Sequence, residues 1–157
     1  MRRNAAIFGL ALFCLALAPG AASAATGKGP KQDLVAGTGQ LGSFRVHVNA
    51  QSGPSGEDPR GKVRFEVPGD PTNPFLNFNA DVTCMDVVGS DSVLAGVTDI
   101  GLVFVINLSD NGEGRGPADT WNASFFFASP PQAGECAASP GQNPVTQGNF
   151  TAHDSTP

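Results

Sequence analysis

The sequence predicts an all-β chain: a single antiparallel β-sandwich or small barrel of about seven to nine short strands. Three observations predict it. Apolar and polar residues alternate with period two through most of the chain, as they do on half-buried strands. Twenty Gly and 13 Pro in 157 residues interrupt nearly every window that might form a helix. Turn-forming clusters separate the alternating runs at short, regular intervals.

The elements follow in order. Leu34 opens the alternating region. Phe44, Val46 and Val48 alternate with Arg45, His47 and Asn49. After the turn-rich connection 51–60, Val63, Phe65 and Val67 alternate with Lys62, Arg64 and Glu66. Leu76, Phe78, Ala80, Val82 and Cys84 alternate with Asn77, Asn79, Asp81, Thr83 and Met85, which assigns Cys84 to the apolar face. A short strand over 93–97 follows the Gly89-Ser90-Asp91 turn. Residues 102–108 carry Val103 and Val105 as well as the opposite apolar set, so this strand is placed centrally. Trp121, Ala123, Phe125 and Phe127 form the next apolar face, with Phe126 on the polar side. Residues 145–152 are the last strand. Eleven Phe and one Trp supply the mass of a core.

Residues 1–24 read as a secretory signal peptide. Arg2 and Arg3 make a positive start, residues 5–18 an uncharged apolar run, and Ala22-Ser23-Ala24 a small-residue cleavage site. The run is too short to span a bilayer, which takes about 20 residues. Residues 25–33 read as a flexible leader and 34–157 as a single β-domain. Losing Arg2 and Arg3 would take the formal charge from −5 to −7, and no membrane association is expected after cleavage. Strong acidity without any basic block argues against nucleic acid, so none is expected as a partner. The expected location is extracellular. Removing the signal removes Cys14, so Cys84 and Cys136 remain as one pair, and in an exported protein the expectation is a disulfide. It would pin the proline-rich segment 129–144 to a strand.

The chemistry-bearing residues are few. Asp110-Asn111-Gly112-Glu113 through Asp119 joins two strands. Asp110, Glu113 and Asp119 could offer oxygen ligands for weak calcium binding. The helical calcium-hand template fails there, because Ala118 occupies the position that needs a bidentate Glu. The simpler reading is a hairpin connection in which Asn111 and Gly112 reach positive φ. No other cofactor is expected. His47 and His153 are the two imidazoles, with Asp154 beside the second, and no nucleophile elbow is present. Ser43, in Gly42-Ser43-Phe44, reads as a turn residue. No catalytic residue is assigned. The expected role is a non-enzymatic binding or interaction module whose partner is a protein or a cell-wall surface component. Trp121 and Phe126 are the aromatics that could grip a sugar. An extracellular hydrolase using carboxylates or His153 and Asp154 is the alternative.

Four strings carry a resemblance: Gly61-Lys-Val-Arg-Phe65, Val82-Thr-Cys-Met-Asp-Val87, Leu102-Val-Phe-Val105 with Asp110-Asn-Gly-Glu113, and Gly148-Asn-Phe-Thr-Ala-His-Asp154. Together they resemble secreted actinobacterial proteins of unknown function. The middle portion is similar to the small β-domain that follows choice-of-anchor repeats in bacterial surface proteins. The resemblance spans roughly residues 40–154 and implies an all-β exported module of a Gram-positive, high-GC bacterium, with no catalytic residue to carry over.

Overall fold

A computed structural model describes residues 32–70, 72–73, 77–112 and 117–155. The signal and most of the leader lie outside the described residues. The chain is all-β, and its strands form one antiparallel sheet curled into a half-barrel. The strands are β1 (Asp33–Leu41), β2 (Phe44–Ser52), β3 (Arg60–Glu66), β4 (Phe78–Val88), β5 (Asp91–Thr98), β6 (Val103–Ser109), β7 (Thr120–Phe126), β8 (Asn143–Pro144) and β9 (Gly148–His153). Their order is β8-β7-β6-β5-β4-β3-β2-β1-β9, so β1 to β7 run as a meander and β9 returns beside β1. Of the two expected architectures, the curled single sheet matches the barrel rather than the sandwich.

Alternation puts one set of side chains inside the curl. Val35, Val46, Val48, Val63, Phe65, Phe78, Leu94, Phe104, Ile106, Leu108 and Phe150 form its buried core. The sequence leaves β1 without a named strand, although Val35 and Leu41 face the core. Asp33, expected at the end of a flexible leader, is instead the first residue of β1 and fully buried. Its Oδ1 accepts hydrogen bonds from the Ser155 backbone N–H (2.9 Å) and hydroxyl (2.8 Å).

The expected phase of β4 needs one correction. The ladder with β5 shifts register between Val82 and Cys84, a β-bulge that reverses which side chains face in. Phe78, Ala80 and Val82 point into the core before it, Met85 and Val87 after it. Cys84 therefore turns to the outer face, although it is buried. Gly96, opposite Val82, permits the close approach: a Cβ there would lie 1.8 Å from the Asp81 carbonyl oxygen.

Cys84 is buried because residues 127–142 cross the outer face of β4, β5 and β6 as a strap. The disulfide joins Cys84 to Cys136, with Cα atoms 6.0 Å apart. Thr83 Oγ1 donates to the Pro131 carbonyl (2.7 Å), and the Ala138 N–H donates to Asp86 Oδ2 (2.9 Å). The Ser139 hydroxyl bonds Asn107 Oδ1 (3.0 Å), and the Gly141 N–H donates to Ser109 Oγ (2.9 Å). Val93, Ala95 and Val103 on this outer face are buried without joining the inner core. The two-sided apolar character of β5 and β6 is thereby explained: each has the core on one face and the strap on the other.

The expected last strand also divides. Val145 enters the core where the chain passes from β8 to β9, its N–H bonded to the Asp119 carbonyl (2.8 Å). Gly148 then opens β9 with φ +92°, and a Cβ there would sit 2.0 Å from the Thr38 carbonyl oxygen. Phe127, expected inside with Phe125, lies past the end of β7 and is 84% exposed.

Candidate functional site

On its open side the half-barrel exposes part of its interior. The inward residues of β7, Trp121, Ala123 and Phe125, are only half-buried or exposed, because β8 pairs with Thr120 and Trp121 alone. Facing them is the β1–β2 hairpin. Between the two lies an apolar crevice of about 220 Å³, lined by Leu41, Phe44, Val46, Phe65, Trp121, Ala123 and Phe125. Its floor is a cluster of rings at edge-to-face and tilted angles: Phe65 lies 4.8 Å from Phe78, 5.2 Å from Phe125 and 6.2 Å from Phe44, centroid to centroid. These spacings are those at which aromatic quadrupoles attract. The cluster is a rigid wall. Trp121 Nε1–H is buried with no acceptor among the described residues, an unusual condition for an indole donor away from water.

The strand edge beside the crevice is equally open. The Trp121 carbonyl accepts from the Gln142 N–H (3.2 Å) and from Asn143 Nδ2 (3.2 Å), so it points away from β6. Period two then directs the N–H and C=O of Ala123 and Phe125 to the same free side. Among the described residues no strand pairs with β7 beyond Trp121 on that side. Phe126 is 40% exposed on the opposite face of β7, and Phe127 follows it. Of the two sugar-gripping aromatics expected, Trp121 sits against the core and Phe126 stands out.

The acidic connection serves the fold. Asp119 is 4% exposed; its Oδ1 accepts from the Asn111 N–H (3.0 Å) and its Oδ2 from the Phe150 N–H (2.7 Å). Asp110 Oδ1 accepts from the Gly112 N–H (2.8 Å) and its Oδ2 from the Ala152 N–H (3.0 Å). Phe150 and Ala152 lie on the edge of β9 turned away from β1. The two carboxylates thus take the place of a neighbouring strand and close the barrel there. A cation held by Asp110 and Asp119 would have to compete with these four donors. Glu113, the third calcium candidate, lies outside the described residues. Gly112 adopts the positive φ, +86°, of the expected hairpin connection, whereas Asn111 does not.

The imidazoles lie on the outer sheet surface. His153, on β9 opposite Leu34, is exposed, and the neighbouring Asp154 accepts from the Gly89 N–H through Oδ2 (2.7 Å). His47 has a hydroxyl on one nitrogen, Thr38 Oγ1 at 2.9 Å from Nδ1, and a carboxylate toward the other, Glu66 Oε2 at 3.9 Å from Nε2. The pattern alone does not reveal this row, because it depends on the β1–β2–β3 register. Hydroxyl, imidazole and carboxylate stand in sequence, yet they sit on strands whose N–H groups are committed to ladders on both sides. Among the described residues no free backbone donor stands there for a tetrahedral oxyanion.

Comparison with protein-family profiles, with curated proteins and with solved structures finds no match to the chain. Function is therefore read from the site, since fold alone does not imply it.

Proposed function

We propose that this chain is an exported, non-enzymatic β-module that binds a protein partner outside the cell by strand addition at the open edge of β7. The observation that carries the reading is the coincidence of two unmet needs. Ala123 and Phe125 present backbone donors and acceptors to the free side, and the same residues line the apolar crevice. An added strand would satisfy the first with main-chain hydrogen bonds and fill the second with alternate apolar side chains. Exposed edges of this kind are templates for pairing unless they are blocked. Export is supported by Arg2 and Arg3, the apolar run 5–18 and Ala22-Ser23-Ala24. The Cys84–Cys136 disulfide adds support, since such bonds persist outside the reducing cytosol.

The test uses a synthetic Thr-Val-Thr-Val-Thr-Val peptide and hydrogen exchange. Binding is expected to slow exchange at the Ala123 and Phe125 amides. Ala123→Pro is expected to fold, because its N–H faces away from the ladder, and to lose binding. Unaltered peptide binding by Ala123→Pro would overturn the reading. So would turnover of an ester, peptide or glycoside that disappears on His153→Ala, the outcome that would favour a hydrolase.

A further inference from the structure

The free edge of β7 is short and complementary to itself. The Trp121 carbonyl is taken by Gln142 and Asn143, which leaves the backbone groups of Ala123 and Phe125 on the open side. These two residues share the inward face, one small and one large, and Ser124 stands exposed between them on the outer face. In an antiparallel pair, opposed residues whose N–H and C=O groups point at each other exchange both hydrogen bonds. A second β7 laid antiparallel with Ser124 against Ser124 therefore sets Ala123 against Phe125 and Phe125 against Ala123. Every free donor and acceptor of the edge is then used. The neighbouring symmetric registers fail. Centring on Ala123 brings Phe125 against Trp121, whose carbonyl is occupied, and centring on Phe125 brings Ala123 against Phe127, past the end of β7.

Size, charge and area agree with this register. Ala123 is the small lining residue of the crevice between Trp121 and Phe125. An apolar cavity of about 150 Å³ takes a benzene ring, so the crevice of about 220 Å³ has room for one Phe125 ring from a second copy. Two chains of net charge −5 repel each other. Residues 120–134 and the hairpin turn 40–44 contain no Asp, Glu, Lys or Arg, and no charged residue lines the crevice. Phe125, Phe126 and Phe127 are 36%, 40% and 84% exposed. With 150–250 Å² for a whole aromatic side chain, two copies bring together roughly 500–800 Å² of ring surface. Specific interfaces begin near about 1,200 Å² in total. The β7 backbone and the open flanks of Phe44 and Trp121 add to the rings, which puts the contact at the weak end of specific association.

From this we infer that the partner at the β7 edge is a second copy of the chain, joined β7 to β7 about a two-fold axis at Ser124. The inference rests on the strand-addition reading above and names the partner. A two-fold contact of one edge with itself uses that edge up, so assembly stops at the dimer. Pairing would also cover an edge that is otherwise a template for indiscriminate strand addition.

The test is sedimentation equilibrium of the protein from culture supernatant, disulfide intact, from micromolar to millimolar concentration at low salt. Wild type should pass from monomer to dimer and no further, and exchange at the Ala123 and Phe125 amides should slow as the dimer forms. Only at the two-fold axis does a residue meet its own copy. Ser124→Lys and Ser124→Asp should therefore each weaken the dimer about two- to fivefold, the range of a cross-strand charge pair. Ser124→Lys does so although it lowers the net negative charge. An equimolar mixture of the two variants should recover the dimer as a mixed pair, a gain that misfolding cannot imitate. Both variants should still bind the Thr-Val-Thr-Val-Thr-Val peptide. A wild type that stays monomeric at millimolar concentration, while the peptide slows exchange at Ala123 and Phe125, would overturn this inference and leave strand addition standing. A dimer indifferent to both Ser124 variants, or growth past the dimer, would overturn it too. A monomer that also ignores the peptide would overturn both readings.

Discussion

Asp119→Ala should cost this fold more than any surface substitution, because this buried carboxylate ties the start of β7 to the edge of β9 turned away from β1. Its side chain is nearly inaccessible and accepts two backbone hydrogen bonds, from Phe150 at 2.7 Å and Asn111 at 3.0 Å. A hydrogen bond to a charged group contributes about 1.5–3 kcal/mol, and leaving a buried N–H without an acceptor costs about 1–3 kcal/mol. The Phe150 amide bond is buried, whereas the Asn111 amide is partly open to water. The sum for Asp119→Ala is about 3–5 kcal/mol, or roughly 10–20 °C in melting temperature for a chain of this size. Asp119→Asn keeps one acceptor and turns an NH₂ toward the other donor, so it should lose about 1–3 kcal/mol. Denaturant unfolding with hydrogen exchange resolves the case. The midpoint should fall in the order wild type, Asp119→Asn, Asp119→Ala. Exchange should accelerate at Phe150 and Ala152 before it does in β3 or β4. A loss below about 1 kcal/mol for Asp119→Ala, with the Phe150 amide as protected as before, would refute the claim that this carboxylate closes the barrel.

The remaining predictions concern the strap, the loop and export. Reducing or replacing Cys84 and Cys136 should destabilise the fold by up to about 4 kcal/mol, the loop-closure value for a 52-residue separation. Non-reducing peptide mapping should recover the linked pair, and Val93 and Ala95 should lose exchange protection when it is cut. Millimolar calcium should leave the melting temperature unchanged relative to chelator, because Asp110 and Asp119 already accept four backbone donors. A rise would mean that the loop exchanges those donors for the cation, since a ligand of the native state must stabilise it. Intact mass of the protein from culture supernatant should match cleavage between Ala24 and Ala25; a chain that retains Met1 in the cytoplasm would refute export.

Strand character was written into the sequence because alternation and turn residues act locally. Phe44-Arg45-Val46-His47-Val48 can place its valines inside only by extending, whatever surrounds it. The disulfide was legible by counting, on the expectation that a signal peptide removes Cys14. Three things were decided by tertiary structure. The bulge after Val82 turned Cys84 from the inner to the outer face, and alternation cannot announce an extra residue in a ladder. The strap buried the outer face of β5 and β6, whereas the sequence reads only β6 as apolar on both faces and β5 as a short strand. Asp110 and Asp119 read in the sequence as candidate calcium ligands; that they also accept from Ala152 and Phe150 depends on the return of β9 beside them. Local patterning settles which residues pair with solvent or core; which distant residues meet depends on register and chain crossing, and these are properties of the whole sheet.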